Sequence, residues 1–343
     1  MHYDVVIVGA GPGGLQCGRI LAENGARTLI LERSKRIGAK VCAGGITWRG
    51  LITAVPAPSI ERSFTMQLIC TRYQKTVIEE PDPLVATVNR IVLASHMARQ
   101  AEQAGADIIT GAAAERFEGN RLYYRSDGKR YQVSFDFLVG ADGSNSLVRK
   151  VLGLPVERLQ RGIGMHYVVD DPAPRDMVWN FDSALFKSGY SWIFPRRGCS
   201  SVGAYVGIPV CSAQRLKAGL DRWLCGQQID VSRCRLQAGQ INWAYRGWRF
   251  GSVFLVGDAA GLASPLTGEG INPAFVSGET VARTIIDPDY ECEQLTRIIR
   301  RHRSHKNMLK TATKSPMVST VLSEICAVLL RYRLIGFDRF EMA

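Results

Sequence analysis

Apolar and polar residues alternate with two different periodicities at the start of the chain, one typical of strands and one typical of helices. A β-branched run, Tyr3 to Val8, leads into the glycine-rich segment GAGPGG at 9–14, and a helical pattern then continues to about Asn24. A second apolar run, Arg27 to Leu31, ends at Glu32. Strand, glycine turn, helix, strand and terminal acid, in this order, are typical of the first βαβ unit of a dinucleotide-binding domain.

The next part of the chain breaks into shorter apolar runs. Between Thr47 and Thr87, strand-like runs such as Ser63 to Thr71 are separated by prolines, which predicts an excursion away from the cofactor domain. Asn89 to Ala104 carries apolar residues at helical spacing and is predicted to be a helix, and the following strand returns the chain to the sheet. From about Leu154 to Asn242, short strands and turns predict an antiparallel sheet that lies over a ligand.

Two further apolar strands belong to the cofactor sheet. Ser126-Asp127-Gly128 predicts a hairpin that precedes the strand Phe135 to Gly140, and Val253 to Val256 is another buried strand. After Asp287 the chain is helical and basic. We therefore expect an α/β fold with a discontinuous Rossmann-type cofactor domain (1–50, 84–153 and 243–287), an antiparallel substrate-binding sheet domain (51–83 and 154–242) and a basic C-terminal helical region (288–343).

Composition narrows the classes of protein. With 343 residues, of which 46% are apolar and 22% charged, the chain can bury a large core. The formal charge of +12 is compatible with nucleic acid, anionic lipid, a phosphorylated substrate or plain solvation. No nucleic-acid-binding motif accompanies this charge, so we expect no nucleic-acid partner.

Cysteine and histidine usage bears on location and metal binding. The nine cysteines are dispersed and contain no CxxC pair, which argues against a disulfide framework or structural zinc and favours a reducing compartment. The five histidines show no metal-ligand spacing, so no metal is expected. No secretory signal or uninterrupted transmembrane stretch is visible, and we predict a cytoplasmic protein.

The glycine-rich turn has the chemistry of a pyrophosphate site. Gly9, Gly11 and Gly14 stand where a tight turn, a close approach to the phosphates and tight helix packing are needed, and the helix N-terminus then faces the phosphates. Glu32 stands where a carboxylate accepts the adenosine ribose hydroxyls. NAD and FAD both satisfy this motif, so the choice between them depends on later segments.

Those later segments resemble FAD motifs of the aromatic-hydroxylase (PHBH-like) superfamily. One is ADGSNS at 141–146, followed by Arg149, and the other is LVGDAA at 255–260. The resemblance implies that Asp258 contacts the flavin-side ribitol and that amides of PLTGEGIN, 265–272, lie against the isoalloxazine ring. It also implies non-covalent FAD in a Rossmann-type domain of the GR2 class.

Two more segments indicate which family within this superfamily the chain resembles. KVCAGG at 40–45 resembles the K-x-C-x-G loop of geranylgeranyl reductases, and YSWIFP at 190–195 resembles their Y-x-W-x-F-P motif. Arg90 matches an FAD-contacting arginine of the family, although the aspartate often found a few residues later is missing, and Ala113 matches an adenine-binding position within an alanine run that leaves its register open. The FAD-binding residues that the resemblance implies are Gly9, Gly11, Pro12, Gly13, Gly14, Glu32, Arg33, Cys42, Ala43, Gly44, Arg90, Ala113, Asp142, Gly143, Asp258, Pro265, Gly268, Gly270, Ile271 and Asn272.

The same resemblance implies a substrate surface. Alternate residues of a strand share one face, so Tyr190, Trp192 and Phe194 line one surface. Such a wall suits an apolar polyprenyl chain, and simple core packing of the aromatics is the alternative. Cys42 is either a small buried apolar residue or a functional thiol near the reacting alkene. We assign substrate binding to Tyr190, Trp192 and Phe194, and catalytic roles to Cys42, Tyr190 and Trp192.

The predicted activity is saturation of carbon-carbon double bonds in a polyprenyl, geranylgeranyl-type substrate by hydride transfer from reduced FAD, with NAD(P)H or ferredoxin as electron donor. Two alternatives stay open: a flavin-dependent monooxygenase of an apolar or aromatic substrate, and a non-catalytic, membrane-associated flavin-binding protein. The sequence identifies no proton donor. Surplus arginines around Arg196 and Arg197 are candidates for binding a phosphate or lipid headgroup.

The C-terminal region is both basic and amphipathic. Arg297 to Lys314 is densely basic, and apolar residues recur at helical spacing after Pro316. This pattern predicts peripheral contact with the inner face of a membrane, and a helix docked on its own domain with a solvated basic face is the alternative. A monomer is favoured over an oligomer.

Overall fold

The structure is a computed structural model that describes residues 1–47, 55–154, 160–170, 176–208 and 211–342. In chain order, its strands are His2–Val8 (β1), Thr28–Glu32 (β2), Gly45–Thr47 (β3), Ile60–Phe64 (β4), Met66–Thr71 (β5), Lys75–Glu79 (β6), Val85–Val88 (β7), Asp107–Thr110 (β8), Ala112–Glu118 (β9), Arg121–Ser126 (β10), Lys129–Gly140 (β11), Arg161–Asp170 (β12), Val178–Phe181 (β13), Tyr190–Pro195 (β14), Cys199–Ile208 (β15), Gln237–Asn242 (β16), Arg249–Phe250 (β17) and Val253–Leu255 (β18). Its α-helices are Pro12–Glu23 (α1), Arg90–Gln103 (α2), Leu147–Val151 (α3), Ser183–Phe186 (α4), Ala213–Gly226 (α5), Gly257–Ala260 (α6), Ile271–Ile286 (α7), Glu293–Ala312 (α8) and Pro316–Arg331 (α9). Short 3₁₀ turns cover Ala57–Ser59, Gly143–Asn145 and Phe337–Phe340.

The first sheet contains the predicted βαβ unit. Its parallel strands lie in the order β18-β11-β1-β2-β8, β17 lies antiparallel at one edge, and β10 and β9 extend antiparallel from β11. Val5 and Ile7 of β1 pack into one apolar cluster with helices α1, α2 and α7, whereas Val6 and Val8 pack into a second cluster. The sheet therefore buries both faces, as parallel sheets covered by helices do.

The second sheet has the strand order β16-β12-β15-β14-β13-β5-β6. Neighbouring strands are antiparallel except for the parallel pair β13 and β5. Ile193 of β14 packs into an apolar cluster with helix α5, whereas Trp192 belongs to a separate cluster. In the small third sheet, β3-β7-β4, strand β3 begins at Gly45, the last residue of the 40–45 segment.

The predicted fold class is confirmed, and two local predictions were wrong. The run Ser63 to Thr71 forms two strands, because β4 pairs with β7 while β5 pairs with β6, so that the chain changes sheets at Thr65. The 154–242 region also contains helix α5, which we did not predict. Its Leu216, Leu220 and Leu224 recur at helical spacing and pack against the second sheet.

The domain division stays a prediction. Strands from the 51–83 and 154–242 ranges meet in the second sheet, where β5 and β6 join β12 to β16. Residues 48–54, 155–159, 171–175 and 209–210, which these ranges include in whole or in part, lie outside the described residues.

Helices α1 and α7 cross with almost no space between their backbones. A Cβ atom on Gly278 would lie 2.2 Å from the carbonyl oxygen of Gly13, and one on Gly13 would lie 2.7 Å from that of Ala274. Any side chain at either glycine would force the helices apart. The crossing therefore places the 9–14 turn beside the segment that leads into α7.

Within the described ranges, no helix combines the length and the apolar content that crossing a membrane requires.

Candidate functional site

The candidate site is a continuous cavity of about 1130 Å³ that extends from the 9–14 turn to helices α8 and α9. Ligand pockets commonly measure about 300–1000 Å³, so this cavity has room for a large ligand or for two. Among the predicted site residues, Gly44, Pro265 and Asn272 lie outside its lining. The residues that do line it are Gly9, Gly11, Pro12, Gly13, Gly14, Glu32, Arg33, Cys42, Ala43, Arg90, Ala113, Asp142, Gly143, Tyr190, Trp192, Phe194, Asp258, Gly268, Gly270 and Ile271.

The three motif glycines have different surroundings. Gly9 has φ +105°, and a Cβ there would lie 2.4 Å from the carbonyl oxygen of Ala141. A Cβ on Gly14 would lie 2.1 Å from the carbonyl oxygen of Gly9. Gly11 differs, because a Cβ there would lie 4.0 Å from the carbonyl oxygen of Ala141 and the residue lines the cavity at the start of α1. This is the arrangement that leaves room for a phosphate at a helix N-terminus.

Glu32 ends strand β2 at the cavity wall. One carboxylate oxygen accepts the backbone N–H of Ala10 at 2.9 Å, and the other accepts that of Ser34 at 2.8 Å. A carboxylate offers about four lone-pair sites, so these bonds leave sites for ligand hydroxyls. The bonds also fix the carboxylate beside the glycine turn.

Asp142 and Arg149 stabilise the 141–146 motif. Oδ2 of Asp142 accepts the backbone N–H groups of Leu147 at 2.6 Å and Val148 at 3.3 Å, whereas its buried Oδ1 has no partner among the described residues. Burial raises the pKa of the Asp142 carboxyl, against the hydrogen bonds, which lower it. The fully buried Arg149 donates to the carbonyls of Ala259 and Ala260 and so joins the 141–146 motif to the 255–260 motif.

Asp258 connects two motifs that are far apart in sequence. Its Oδ2 accepts hydrogen bonds from Lys40 Nζ at 2.8 Å and from the Ser144 hydroxyl at 3.0 Å. The Lys40 contact is an ion pair in which the Asp258 side chain is only 8% exposed. Neither Lys40 nor Ser144 was predicted as a site residue, although Lys40 begins the 40–45 motif and Ser144 lies within the 141–146 motif.

Residues 266–271 form a wall of the cavity at the start of helix α7. Gly268 has φ +73°, a left-handed conformation that favours glycine. Pro265 lies behind the wall, where its carbonyl accepts the Tyr205 hydroxyl at 3.1 Å. Asn272 is fully buried, and its side-chain amide has no partner among the described residues.

The 40–45 segment is held from behind by Arg196. This guanidinium donates from Nη2 to the carbonyls of Cys42 at 3.2 Å and Ala43 at 2.7 Å. Gly44 has φ +88°, and a Cβ there would lie 2.5 Å from Arg196 Nη2. The Arg196 guanidinium therefore stabilises the 40–45 loop through these hydrogen bonds, which argues against Arg196 as a candidate for binding a headgroup.

Arg90 and Ala113 line the same cavity as Glu32. Arg90 is the first residue of α2, whose N-terminus is capped by the Asn89 side chain. Its Nε and Nη1 atoms are buried and have no partner in the described part of the chain. Donors buried without partners are costly, so together with the open space at Gly11 they fit a bound anionic dinucleotide.

The aromatic side chains of β14 form the middle wall of the cavity. Tyr190, Trp192 and Phe194 are all buried. Trp179 of β13 packs against Phe194, with the two ring centroids 4.7 Å apart. The Tyr190 hydroxyl donates to the carbonyl of Thr267 at 2.5 Å, which ties this wall to the 265–272 segment. Trp179 and Phe181 also line the cavity, and the sequence motif did not reveal them.

The far end of the cavity lies between the C-terminal helices. Leu322, Ala327 and Leu330 of α9 line it, together with exposed residues of α8 such as Asn307 and Thr311. The same cavity therefore joins a polar end, rich in backbone amides and charged groups, to an aromatic middle and a mixed end at the protein surface.

Burial shifts the pKa values of several titratable groups that line the cavity, and His166 and Glu269 are among them. Burial, with a smaller contribution from Arg196, lowers the pKa of His166 to about 4. Burial raises the pKa of Glu269 to about 7, although its hydrogen bond from the Met342 amide lowers it. Sequence reasoning missed Glu269, because its spacing does not indicate burial.

A separate group of possible metal ligands lies at the outer end of β1. The ligand atoms of His2, Asp4 and Asp136 lie within 4.8 Å of one another. Exposed acidic groups often cluster in this way, and here the His2 ring forms a 3.4 Å ion pair with Asp136 when protonated.

Comparison with known proteins gives consistent results. A family model described as an FAD binding domain matches residues 2–187 and 209–286. The chain is 28% identical over 319 residues to a digeranylgeranylglycerophospholipid reductase of Methanocaldococcus jannaschii, covering 87% of this chain and 82% of the relative. It is 30% identical over 360 residues to digeranylgeranylglycerophospholipid reductase 2 of Methanopyrus kandleri, covering 95% and 88%. A solved geranylgeranyl bacteriochlorophyll reductase-like protein of Thermoplasma acidophilum has the same fold, with a TM-score of 0.82, 22% identity and coverage of 99% and 97%.

Proposed function

The chain belongs to the FAD-binding-domain family and, within it, to the geranylgeranyl reductases, and on this premise we propose that it saturates carbon-carbon double bonds of a polyprenyl, geranylgeranyl-type lipid. The relatives carry this kind of substrate in their names. The observation that supports the proposal best is the continuity of the cavity, which passes from the FAD motifs along Cys42 to the aromatic wall.

The residues present fit FAD. Gly11 and the start of α1 would receive the pyrophosphate, Glu32 the adenosine ribose, and Asp258 the ribitol, while Arg90 would offer its unpaired donors. Amides of 268–270 would lie against the ring. When bound in its reduced form, FAD supplies a hydride to one alkene carbon.

The chain's own contribution is orientation and exclusion of water. Trp192 and Phe194 stack with their ring centroids 5.6 Å apart, and Tyr190 lies 5.9 Å from Trp192. These buried rings would hold a flexible apolar chain so that one double bond stays at a fixed place. The electron donor, NAD(P)H or a ferredoxin, stays a prediction.

The test uses FAD-loaded protein, reduced chemically without oxygen and then mixed with geranylgeranyl diphosphate or a geranylgeranylated phospholipid. We expect flavin reoxidation to proceed in step with a gain of hydrogen pairs in the lipid mass. Trp192→Phe should slow this reaction at least tenfold. The matched change Trp223→Phe alters a tryptophan that is also buried but packs with helix α5, and it should leave the rate near normal.

The alternatives give different results in the same experiment. A monooxygenase would reoxidise its flavin only after air is admitted and would insert oxygen into its substrate. A non-catalytic flavin-binding protein would leave the lipid unchanged under both conditions. Either result would overturn the proposed activity.

We also propose that helix α9 attaches the protein to an anionic membrane surface. One face of α9 lines the cavity, whereas Met317, Val321 and Ile325 of this helix and Tyr332 directly after it are exposed and lie outside the cavity lining. Exposed basic residues of the neighbouring helix α8, Arg303, Lys306 and Lys310 among them, would add electrostatic attraction. A lipid substrate could then enter the cavity directly from the bilayer.

Sedimentation with vesicles of anionic phospholipid tests this attachment. Val321→Glu should reduce the bound fraction severalfold, because the charge would enter the apolar face that contacts the bilayer. Val151→Glu is the matched control, since Val151 and Val321 are both 46% exposed but lie on different helices. Equal binding by both variants and by the unaltered protein would contradict the attachment through α9.

A further inference from the structure

Glu269 lies between Gly268 and Gly270, and all three residues line the cavity. Oε1 accepts a hydrogen bond at 3.2 Å from the hydroxyl of Thr47, which also lines the cavity. Oε2 accepts the backbone N–H of the fully buried Met342 at 3.0 Å. The carboxyl group is therefore fixed at the boundary between the cavity and the protein interior.

The segment that carries Glu269 is joined to the aromatic wall. Tyr190 donates its hydroxyl to the carbonyl of Thr267, two residues before Glu269. Burial is the main cause of the raised pKa of the Tyr190 phenol, and charges on Glu269 and Cys42 raise it further. Glu269, Tyr190 and Cys42 all line the same cavity, so Glu269 borders the place where the proposed substrate would lie.

Reduction of an alkene consumes a proton as well as a hydride. An effective donor must be protonated near neutral pH and still acidic enough to release its proton. Burial raises the pKa of Glu269 to about 7, which satisfies both conditions. Two other groups that line the cavity do not: burial lowers the pKa of His166 to about 4, and burial raises the pKa of the Tyr190 phenol above its ordinary value. The Asp258 carboxylate is engaged by Lys40 and Ser144.

We propose that Glu269 is the general acid of the alkene reduction. Its O–H bond breaks, a C–H bond forms at the alkene carbon that does not receive the hydride, and the carboxylate then takes a proton from water. Both electrons come from the reduced flavin, so this inference rests on the proposed function.

The charged and titratable groups around Glu269 define its expected pH behaviour. Glu341 raises its pKa, and Arg301 of helix α8 lowers it. His305 hydrogen-bonds to Ser264, whose backbone N–H donates to the carbonyl of Glu269. Cys42 and Tyr190 line the same cavity, Tyr205 packs against Gly268, and the Asp258–Lys40 ion pair lies beside Gly270.

Three measurements on the FAD-loaded protein test the proposal. First, Glu269→Gln should lower the rate of lipid reduction by about 10²-fold or more while changing FAD affinity less than threefold. Second, the rate of the unaltered protein should fall as pH rises through about 7. Third, infrared difference spectra between the protein and Glu269→Gln should show a protonated carboxyl band that disappears with a midpoint near the same pH. Glu279→Gln, an exposed glutamate paired with Arg283, is the matched control and should behave like the unaltered protein.

A second variant keeps the test independent of how Glu269→Gln folds. Glu341→Gln removes a charge that raises the pKa of Glu269, so it should shift both the rate profile and the infrared midpoint to lower pH. Glu269 is not the acid if the unaltered protein reduces the lipid and Glu269→Gln does so at a rate within threefold of it. The same holds if the rate of the unaltered protein does not fall as pH rises through about 7. If the unaltered protein reduces no polyprenyl lipid, the proposed function itself is wrong.

Discussion

Replacing Gly11 by alanine separates cofactor binding from folding. The residue has φ −76° and ψ 175°, a conformation that alanine adopts freely, and the nearest protein neighbour of its new Cβ would be 4.0 Å away. Gly→Ala gains about 0.4–1 kcal/mol by restricting the unfolded chain. Gly11 is also the N-cap of α1, where alanine costs about 0.5–1 kcal/mol more than glycine. These two effects nearly cancel, so the stability of the FAD-free protein should change by less than about 1 kcal/mol.

FAD binding should respond differently, because the new methyl group would occupy the space that the pyrophosphate needs. We expect affinity to fall about 10- to 100-fold, which corresponds to about 1.4–2.8 kcal/mol. Gly14→Ala provides the contrast. Its Cβ would lie 2.1 Å from the carbonyl oxygen of Gly9, so the backbone must move, and the folded state should lose about 3 kcal/mol.

The assay combines urea unfolding of the FAD-free protein with fluorescence titration of FAD. Gly226→Ala serves as the matched control, because Gly226 ends helix α5 and its added Cβ would have no atom of another described part of the chain within 4 Å. Its FAD affinity should match that of the unaltered protein. Normal FAD affinity in Gly11→Ala would refute the assignment of this turn to the pyrophosphate.

Three further predictions concern buried charges. Arg90→Met should weaken FAD binding at least tenfold in the same titration without destabilising the FAD-free protein, since Nε and Nη1 of Arg90 have no protein partner to lose among the described residues. Arg149→Met should cost about 3 kcal/mol or more in urea unfolding, because it leaves buried main-chain carbonyls without a donor. The pKa of Glu269 rises from 4.5 to about 7 on folding, so its protonated form contributes stability, on the order of 3 kcal/mol, that is complete below pH 4.5 and is lost as pH rises through about 7. The difference in unfolding free energy between the protein and Glu269→Gln should fall over that window, and subtracting the variant removes the opposite trend caused by His166.

The FAD motifs could be predicted from sequence because their function depends on local backbone geometry. Gly9, Gly11 and Gly14 are required by one turn and one helix end, and the alternation of Tyr190, Trp192 and Phe194 follows from the two-residue period of a strand. Each of these features depends only on residues that are close together in sequence. The structure places all six residues around the cavity.

Features that depend on distant parts of the chain were missed. The Lys40–Asp258 ion pair joins positions 218 residues apart. The pKa of Glu269 depends on burial that the C-terminal segment helps to create through Met342, and no spacing rule reveals this. Helix α5 is a different kind of miss, because its apolar spacing was present in the sequence and only the surrounding strand pattern concealed it.

The change in character along the cavity bears on how a polyprenyl lipid would lie in it. Burying a charged headgroup against Trp192 or Phe194 would be costly, because those rings offer it no partner. At the opposite end, exposed Asn307 and Thr311 border the cavity beside the basic surface of helix α8. The proposed function therefore implies that the headgroup stays near α8, the isoprenoid chain follows α9 inward, and the double bonds distant from the headgroup reach the flavin end first.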